Sequence, residues 1–263
     1  MKIKVSIITA ILNSQEIVRR QFLYYSKFLP GDVEVIYVDD GSEPPLDFYC
    51  VEKKFKFQGY ATNDKRPWTQ PKARNYGARR ANGDYLICTD IDHIISPEVI
   101  EAARNPIADV IRLRREAGVL DENGNFTQDE KILRKWGLQD RYFKRHLRLP
   151  PHGNSYIFKT SLYLGLGGVD ERFCGTGRYP NREEVTLKRK LKPLVKDGRV
   201  TIIDDDRRPL FYMMPNGKYC DDGNKDFNPF NLFHNLSREF NIGRLTNKQK
   251  RKLKAAEKAR KNG

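Results

Sequence analysis

The sequence predicts an α/β protein of three layers, in which a mostly parallel central sheet lies between two layers of helices. Within the first 90 residues, β-rich and helical segments follow one another as strand, helix, strand and again strand, helix, strand. This alternation is typical of parallel sheets with helical crossovers. Two strand segments, 4–10 and 33–38, are β-rich and mostly apolar, as expected of strands covered on both faces. A chain of 263 residues is long enough for one large domain of this kind.

The elements of the first half follow from periodicity and from stop signals. Apolar residues at roughly helical spacing follow the first strand, and Gly31 ends that helix. The second strand runs into the acidic stretch 39–42, and Pro44 and Pro45 hold this stretch in a loop because proline has no amide hydrogen to continue a ladder. A weaker strand at 55–61, a helix at 72–81 and a strand at 85–89 complete the half.

The second half is less regular but has clear helix and turn signals. Ser96, Pro97 and Glu98 form a good helix start, with a capping serine, a proline in the first turn and an acid at the positive end of the helix dipole. Residues 131–149 are basic and aromatic, and we assign them to a mobile or acceptor-facing segment. The remaining predicted elements are strands at 109–113, 156–159, 200–203 and 210–214, a hairpin at 119–126, and helices from 161, at 182–194 and within 228–240.

Composition narrows the class of protein. Hydrophobic residues make up 38% of the chain and charged residues 32%, which predicts a soluble globular protein. Apolar runs are all far shorter than the roughly 20 residues that span a bilayer, and we interpret the short apolar N-terminus as a buried strand instead of a signal peptide. The four widely spaced cysteines form no CxxC pair, which argues against a zinc module or a disulfide scaffold. We therefore expect a cytoplasmic location, or a peripheral one at a membrane surface.

The formal charge of +15 indicates anionic partners. Residues 248–263 contain eight Lys or Arg and one acid, Glu257, so this tail supplies +7 and the body the remaining +8. Leu253 is the one large apolar residue of the tail, so any contact with anionic lipid or nucleic acid would be electrostatic. The alternative is a tail that is solvated and disordered.

Asp90 and Asp92 are the strongest chemical signal in the chain. Residues i and i+2 of an extended backbone point to the same side, so these carboxylates can converge on one cation. Mg²⁺ and Mn²⁺ prefer such oxygen ligands and usually share them with substrate phosphates. Ligands of parallel α/β sheets bind beyond the carboxyl ends of the strands, and Thr9 and Asp40 are predicted at the same edge. The alternative is an acidic turn that merely ends a strand.

Five stretches, in this order, resemble the inverting GT-A glycosyltransferases of glycosyltransferase family 2. They are VSIITA at 5–10, VIYVDDGS at 35–42, ARNYGARRANGDYL at 73–86, DID at 90–92 and GGVDE at 167–171. The resemblance covers about residues 3–195, and the last part of the chain is loosely similar to the galactosyltransferase branch. It implies one GT-A-like domain over residues 1–245, with a nucleotide-binding half at about 1–95 and an acceptor half at about 96–245, followed by the basic tail at 246–263.

The resemblance implies a set of contacts to the nucleotide-sugar donor. Thr9 and Ala10 would line the nucleotide pocket, and Asp40 would accept hydrogen bonds from the base or the ribose. Asp39 belongs to the same group but is the weaker ligand, because its side chain is expected to point into the fold. Arg74 would lie beside the nucleotide, where a guanidinium suits a phosphate or an acceptor edge. The implied donor is a nucleoside-diphosphate sugar, with a UDP-sugar favoured.

The resemblance also implies a metal site in the DXD motif. Asp90 would contact the ribose or the metal, with Ile91 among the nucleotide-sugar contacts. Asp92, together with Asp90, would coordinate Mn²⁺ or Mg²⁺ that bridges the donor phosphates. Many relatives supply a histidine as a further ligand, and His93 and His234 are the candidates here, although a lone histidine is more often a satisfied core or surface group.

Inverting transfer needs a general base near the acceptor hydroxyl. In the family this base is the second acid of a Glu-Asp type pair, which the resemblance maps to Glu184, with Glu183 as an acceptor-binding neighbour. Two departures weaken this mapping: the second residue is Glu instead of Asp, and residues 178–182 lengthen the loop before the pair. The alternative is the acidic first turn of an ordinary helix.

The leading hypothesis is therefore a metal-dependent glycosyltransferase that moves a sugar to an unknown acceptor hydroxyl with inversion. A nucleotidyltransferase on a similar sheet would usually have a glycine-rich loop after the first strand, whereas residues 11–14 contain no glycine. A nucleic-acid-binding protein that uses the basic tail would leave the acidic edge unexplained. A degenerate transferase that binds only the nucleotide is the other alternative.

Overall fold

The computed structural model describes residues 2–66, 69–150, 155–174, 182–216 and 219–221, with the backbone alone at 182–184. The strands of this part are β1 Val5–Ile11, β2 Val33–Asp39, β3 Lys56–Ala61, β4 Tyr85–Asp90, β5 His93–Ile94, β6 Val110–Arg112, β7 Arg114–Ala117, β8 Val119–Leu120, β9 Phe126–Thr127, β10 Tyr156–Lys159, β11 Ile202–Ile203 and β12 Leu210–Met213. The helices are α1 Gln15–Tyr25, α2 Gln70–Ala78, α3 Pro97–Arg104, α4 Glu130–Lys135, α5 Asp140–Phe143, α6 Thr160–Gly165 and α7 Arg182–Lys196, with a 3-10 helix at Glu171–Phe173.

A seven-stranded sheet in the order β11-β6-β10-β4-β1-β2-β3 forms the middle layer. β1 pairs in parallel with both β2 and β4, and β2 pairs in parallel with β3. β10 is antiparallel to its neighbours β4 and β6, while β11 is parallel to β6. One strand of the seven therefore runs against the other six, and the prediction of a mostly parallel sheet is confirmed.

An apolar core covers each face of this sheet. Ile7 and Ile8, which are neighbours on β1, belong to different cores because successive side chains of a strand point to opposite faces. Phe22 of α1 packs in the first core, and Ala73 of α2 and Leu187 of α7 pack in the second. The sheet thus lies between two helical layers, as predicted, and this double burial explains why β1 and β2 are mostly apolar and buried along their whole length.

Residues 131–149, which we assigned to a mobile or acceptor-facing segment, also contribute to the core. The segment contains α5 and most of α4, and Trp136 and Tyr142 are 1% and 4% exposed in the same core as Ile7. The apolar residues recur every three or four positions and face inward, whereas the basic residues between them, such as Arg134 and Arg141, are exposed. These exposed charges gave the segment a surface-like composition although its other face is core.

Most predicted elements form, with shifted ends. The helix predicted at 72–81 begins two residues earlier, at Gln70, and the strand predicted at 200–203 shrinks to Ile202–Ile203. The helix start at Ser96 is confirmed, since Ser96 Oγ accepts a hydrogen bond from the Val99 amide at 3.2 Å. The helix predicted within 228–240 and the basic tail lie outside the described residues. Among the helices of the described ranges, none is both long and apolar enough to cross a membrane.

The second, three-stranded sheet was not predicted. It has the order β5-β12-β7 and pairs Met213 of β12 with His93 of β5. The Met214 amide donates to the Asp92 carbonyl oxygen at 2.8 Å and continues this contact. The sheet therefore holds the turn that follows β4.

Candidate active site

Three parallel strands end side by side and bring the predicted polar residues to one edge. In the register of the sheet, Ile11 of β1 lies opposite Asp39 of β2, and Ala10 lies opposite Asp90 of β4. The Asp40 amide donates to the Ile11 carbonyl oxygen at 2.7 Å, which continues the ladder by one residue. The carboxyl edge of this sheet is therefore acidic on both sides of β1, and this is the edge where such folds bind ligands.

The first residues of α2 link the ends of β2 and β4. Thr69, which precedes the helix, donates through Oγ1 to Asp40 Oδ1 at 2.6 Å. The next residue, Gln70, donates through Nε2 to Asp90 Oδ1 at 2.7 Å. Because consecutive residues lie about 3.8 Å apart at Cα, the two carboxylates are held by one short segment. The positive end of the α2 dipole faces both of them.

Arg74, one turn further along α2, is 1% exposed and donates through Nη2 to Asp90 Oδ1 at 2.6 Å. Burial lowers the pKa of Arg74 and the charge of Asp90 raises it, with a net upward shift, so the guanidinium stays charged. Its Nε is buried and has no hydrogen-bond acceptor among the described residues. Arg74 therefore lies within the predicted site and fixes the orientation of Asp90 through a buried ion pair.

Asp90, Asp92 and His93 form a cluster that could hold a metal ion. One ligand atom from each of the three residues lies within 4.8 Å of the other two. Burial and the neighbouring charge of Asp90 raise the pKa of Asp92, which means that the two carboxylates repel each other in a poorly solvated turn. A divalent cation would relieve this repulsion, and oxygen ligands suit Mn²⁺ or Mg²⁺. The residues present therefore fit the metal that the family implies.

His93 lies beside both acids of the cluster. The ring is 1% exposed and packs on Phe211, with 4.6 Å between ring centroids. Its Nδ1 lies 2.9 Å from Thr89 Oγ1 and 3.2 Å from the Asp90 amide, and its Nε2 lies 3.6 Å from Asp92 Oδ1. Nε2 therefore faces the acidic pair, where it either binds the metal or supports Asp92, and the role of His93 as a further metal ligand stays a prediction.

Residues from distant parts of the chain hold the turn that carries the acidic pair. Gln21 of α1 donates through Nε2 to the carbonyl oxygens of Ile91 at 2.7 Å and His93 at 2.9 Å. Asn216 donates through Nδ2 to Asp92 Oδ2 at 2.6 Å. The predicted contact residue Ile91 thus uses its backbone carbonyl to hold the turn, with its side chain packed at the edge of the core.

Asp39 and Asp40 have different environments. Asp39 is buried, and its two carboxylate oxygens accept from the backbone amides of Ser42 at 2.7 Å and Leu46 at 3.0 Å. This carboxylate points into the fold, as expected for the weaker ligand of the two, and it shapes the loop after β2. Asp40 accepts from Thr69, and burial raises the pKa of Asp40 to about 7, with smaller upward contributions from Asp64 and Asp39.

Thr9 and Ala10 lie in the middle of this edge. Thr9 of β1 lies between Tyr37 of β2 and Thr89 of β4, and its side chain is 1% exposed. Ala10 is 6% exposed and lies opposite Asp90. Both residues lie on β1 between the two acidic strand ends, with their side chains on opposite faces of the sheet, and their contact with a nucleotide stays a prediction.

Asn75 fastens the GGVDE stretch to α2. Its Nδ2 donates to the Val169 carbonyl oxygen at 2.8 Å and to Glu171 Oε1 at 2.9 Å. Its Oδ1 accepts from the Tyr163 hydroxyl at 2.9 Å and from the Val169 amide at 3.1 Å. Gly168 has φ +64°, and a Cβ there would lie 2.2 Å from Asn75 Oδ1, so this position requires glycine. Two stretches that resemble the family are thus in direct contact.

The predicted catalytic pair lies at the start of α7. Glu183 and Glu184 belong to its first turn, and their side chains are outside the described part of the chain. The site geometry described above therefore does not include these two carboxylates. His234 also lies outside the described residues.

Sequence reasoning missed the residues that support the site. Thr69, Gln70, Gln21 and Asn216 are uncharged, and they follow no motif that marks them. Contacts such as Asn216 to Asp92 join residues 124 positions apart, so only the folded sheet reveals them. A usable signal was available for Gln70, because it lies one turn before Arg74 on the same helix.

A mostly parallel sheet with one reversed strand, and an Asp-x-Asp sequence at the end of β4, agree with the GT-A fold that the sequence resemblance implies. The family model described as glycosyl transferase family 2 matches residues 6–163, which is more than half of the chain. The chain belongs to this family. No curated protein sequence matches it significantly.

Several solved structures are similar to the chain. TarS 1-349 from S. aureus is 19% identical, with a TM-score of 0.49, over 81% of this chain and 60% of that one. The mannosyltransferase PcManGT from Pyrobaculum calidifontis, in complex with GDP-Man and Mn²⁺, is 15% identical, with a TM-score of 0.49, over 83% and 59%. Glucosyl-3-phosphoglycerate synthase from Mycobacterium tuberculosis, in complex with phosphoglyceric acid, is 14% identical, with a TM-score of 0.47, over 85% and 74%. The chain therefore spans about 60% of the length of the first two structures.

Proposed function

We propose that the chain transfers a sugar from a nucleoside-diphosphate sugar to an acceptor hydroxyl, with a divalent metal and inversion of the anomeric carbon. The observation that carries this proposal is the pair Asp90 and Asp92 in the turn after β4, beside Asp40 at the end of β2. Acidic groups at this edge would repel a phosphate ligand unless a cation lay between them. Membership of glycosyl transferase family 2 supports the same conclusion.

Asp92 and Asp90 would hold Mn²⁺ or Mg²⁺, which when bound would supply the positive charge that stabilises the leaving nucleoside diphosphate. Arg74 and Gln70 keep Asp90 in one orientation, and Asn216 does the same for Asp92. These fixed positions reduce the reorganisation needed when the donor binds. Cytoplasmic location remains an expectation from composition.

Asp40 would bind the base or ribose of the donor, with Thr9 and Ala10 lining the pocket. The Thr69 hydroxyl orients the Asp40 carboxylate from one side. Asp39 acts indirectly by holding the loop that follows β2. A UDP-sugar is the favoured donor, and the acceptor supplies a hydroxyl group.

Glu184 would remove the proton from the acceptor hydroxyl as the sugar is transferred, with Glu183 beside it at the acceptor. A carboxylate is a competent general base when it lies within hydrogen-bond distance of the hydroxyl. The assignment rests on the family resemblance and on the position of this pair in the first turn of α7.

Thermal unfolding with UDP, GDP, CDP and dTDP, each with and without Mn²⁺, tests donor and metal together. A nucleotide present at 100 times its Kd stabilises the folded state by about 2.7 kcal/mol, which corresponds to roughly 5–10 °C in a chain of this size. We expect such a shift for one nucleotide, with UDP favoured, and only with Mn²⁺. The Asp92→Asn variant should lose it, while the matched surface variant Asp84→Asn, at an exposed ion pair with Lys2, should keep it.

The absence of a Mn²⁺-dependent shift for all four nucleotides would sink the proposal. Hydrolysis of the donor sugar in Glu184→Gln then separates catalysis from binding. Loss of hydrolysis with an unchanged nucleotide shift is the expected result. Donor hydrolysis that is absent already in the unaltered chain would instead indicate a degenerate transferase that binds the nucleotide only.

A further inference from the structure

The solvent face of α7 carries a row of positive charge at Arg189, Lys192 and Lys196. Residues 185–196 contain five basic side chains and no acid. Leu187 and Leu191 pack into the core, so the opposite side of the helix faces solvent. Arg189, Lys192 and Lys196 lie on this opposite side and are exposed, and none of them forms an ion pair in the described part of the chain.

Such a row is unfavourable for the helix itself. Like charges three or four residues apart lie next to each other on a helix surface and repel. Arg189, Lys192 and Lys196 follow this spacing. An anionic partner would offset the repulsion, and a helix that had no partner would gain from an acid at any one of these positions.

A cavity of about 570 Å³ joins this row to the GGVDE stretch. Its cationic lining residues are Arg172, Arg189 and Lys190. Its two acids already have partners: Asp170 is paired with Arg172 at 2.6 Å, and Glu171 with Arg79 at 3.2 Å. Arg189 and Lys190 therefore give the cavity an excess of positive charge, and Arg189 belongs to both the cavity and the row.

We propose that this cavity and the outer face of α7 bind an anionic acceptor, a linear polymer that carries phosphate or carboxylate groups. The proposal rests on the transferase function and specifies its acceptor. The cavity wall is the GGVDE stretch of the predicted acceptor half, and α7 begins at the predicted catalytic pair. The acceptor chain would thus run from the place of reaction along the helix.

The shape of the charged face selects a linear polymer over a lipid surface. At 1.5 Å per residue, Arg189 to Lys196 covers roughly 10 Å in one line, which suits successive anions of one chain. A membrane-binding face would need large apolar side chains beside the cations. Val185, 42% exposed, is the one apolar residue on this side of α7 within residues 185–196.

The test compares two triple variants of the full chain that remove the same charge. R189Q/K192Q/K196Q neutralises the α7 face. The control, K54Q/K56Q/K131Q, neutralises three exposed lysines elsewhere, which are Lys54 just before β3, Lys56 on β3 and Lys131 on α4. Long-chain polyphosphate, polygalacturonate and neutral dextran are titrated calorimetrically at several salt concentrations. The basic tail is identical in all proteins, so it cancels in the comparison.

The α7 variant should bind the preferred polyanion about tenfold or more weakly, with a salt slope smaller by about 2, since each lost contact removes roughly 0.7. The control variant should bind the same polyanion with an affinity that changes less than threefold. Neutral dextran should bind neither triple variant. Comparison of polyphosphate with polygalacturonate shows whether the site prefers phosphate or carboxylate groups. Circular dichroism of both variants should match the unaltered chain because glutamine is a good helix former.

Equal weakening in both triple variants would overturn the proposal, because net charge alone would then explain it. Phosphatidylglycerol vesicles provide a second arm: α7-dependent vesicle binding without α7-dependent polymer binding would assign the face to a membrane. The Mn²⁺-dependent nucleotide shift should be unchanged in both variants. If that shift is missing from the unaltered chain while the polymer still binds through α7, the transferase function fails and the anion site stands.

Discussion

Asp40 is one of two acids at the site, with Asp92, whose pKa burial raises. Burial raises the pKa of Asp40 from 3.8 to about 7. Between pH 4 and pH 7, the folded protein therefore keeps a proton on Asp40 that the unfolded chain releases. This proton contributes to the free energy of unfolding in full below pH 4, and the contribution is lost as the pH rises through 7. A shift of about 3 units corresponds to an upper bound of about 4 kcal/mol.

We expect Asp40→Asn to raise the melting temperature at pH 8 and to have little effect at pH 4. The asparagine can still accept from Thr69 through Oδ1, and it removes the buried charge. Thermal unfolding of both proteins from pH 4 to pH 8 measures this difference. Asp39→Asn serves as the control and should destabilise at pH 8, because it removes an acceptor from the Ser42 or Leu46 amide. An equal effect of Asp40→Asn at all pH values would contradict the assignment.

The contribution of His93 to metal binding can be measured in the His93→Asn variant. His93→Asn keeps an acceptor near the Asp90 amide but removes Nε2, which lies beside Asp92. Loss of such an outer contact typically weakens metal binding about 10- to 100-fold. We expect this loss in a Mn²⁺ titration followed by electron paramagnetic resonance, with nucleotide present. Ser155→Ala, which removes a hydroxyl 3.3 Å from Nδ1, should leave the affinity nearly unchanged. Unchanged affinity in His93→Asn would limit His93 to packing.

At the residue scale, the sequence predicted those site residues that lie close together in one short motif. Asp90 and Asp92 are two positions apart at a strand end, and this spacing alone predicted that their carboxylates lie close together, although Asp92 belongs to the turn that follows β4. The side chains that orient them could not be predicted, because Gln21 and Asn216 reach the turn from 70 and 124 positions away. Such contacts depend on which helices and strands pack together, and local sequence patterns do not determine this packing.

α2 is the element that organises the site. Its first residues hold the acidic edge through Thr69 and Gln70, and its middle holds the GGVDE stretch through Asn75. The helix itself was predicted, but its start was placed two residues late because Gln70 and Pro71 looked like loop residues. Pro71 is in fact in the first turn, where a missing amide hydrogen has no cost.

Gly168→Ala should destabilise the protein by roughly 2–4 kcal/mol, because it combines a left-handed backbone with a clash against Asn75. Urea unfolding measures the loss. Gly165→Ala is the matched control, since a Cβ there meets no atom within 4 Å, and it should be neutral or slightly stabilising. Similar effects at the two glycines would show that the contact with Asn75 contributes little.

For the whole molecule, the two halves that we predicted on either side of residue 95 share one sheet. β10, from the second half, pairs with β4 from the first and lies between β4 and β6. The three-layer fold was predictable because apolar runs and helices alternate. The position of the reversed strand was not, since residues 156–159 look the same in either direction.

A chain of residues 1–95 should therefore fail to fold as an isolated domain. Its β4 would have an unpaired edge, and the Asp92 turn would lack its contacts to β12 and Asn216. Size-exclusion chromatography and circular dichroism should show aggregated or unfolded protein. A chain of residues 1–245 should remain monodisperse and folded. A folded, monomeric 1–95 fragment would show that the halves are separable.

The reversed strand β10 also has a consequence for how the protein is made. About 66 residues separate the end of β4 from the start of β10, so at 5–20 residues per second the ribosome takes roughly 3–13 seconds to supply the missing neighbour. Throughout that interval the nascent chain presents the open edge of an apolar strand. Chaperones that bind extended apolar segments should therefore contact this protein most strongly between the emergence of Asp90 and that of Tyr156.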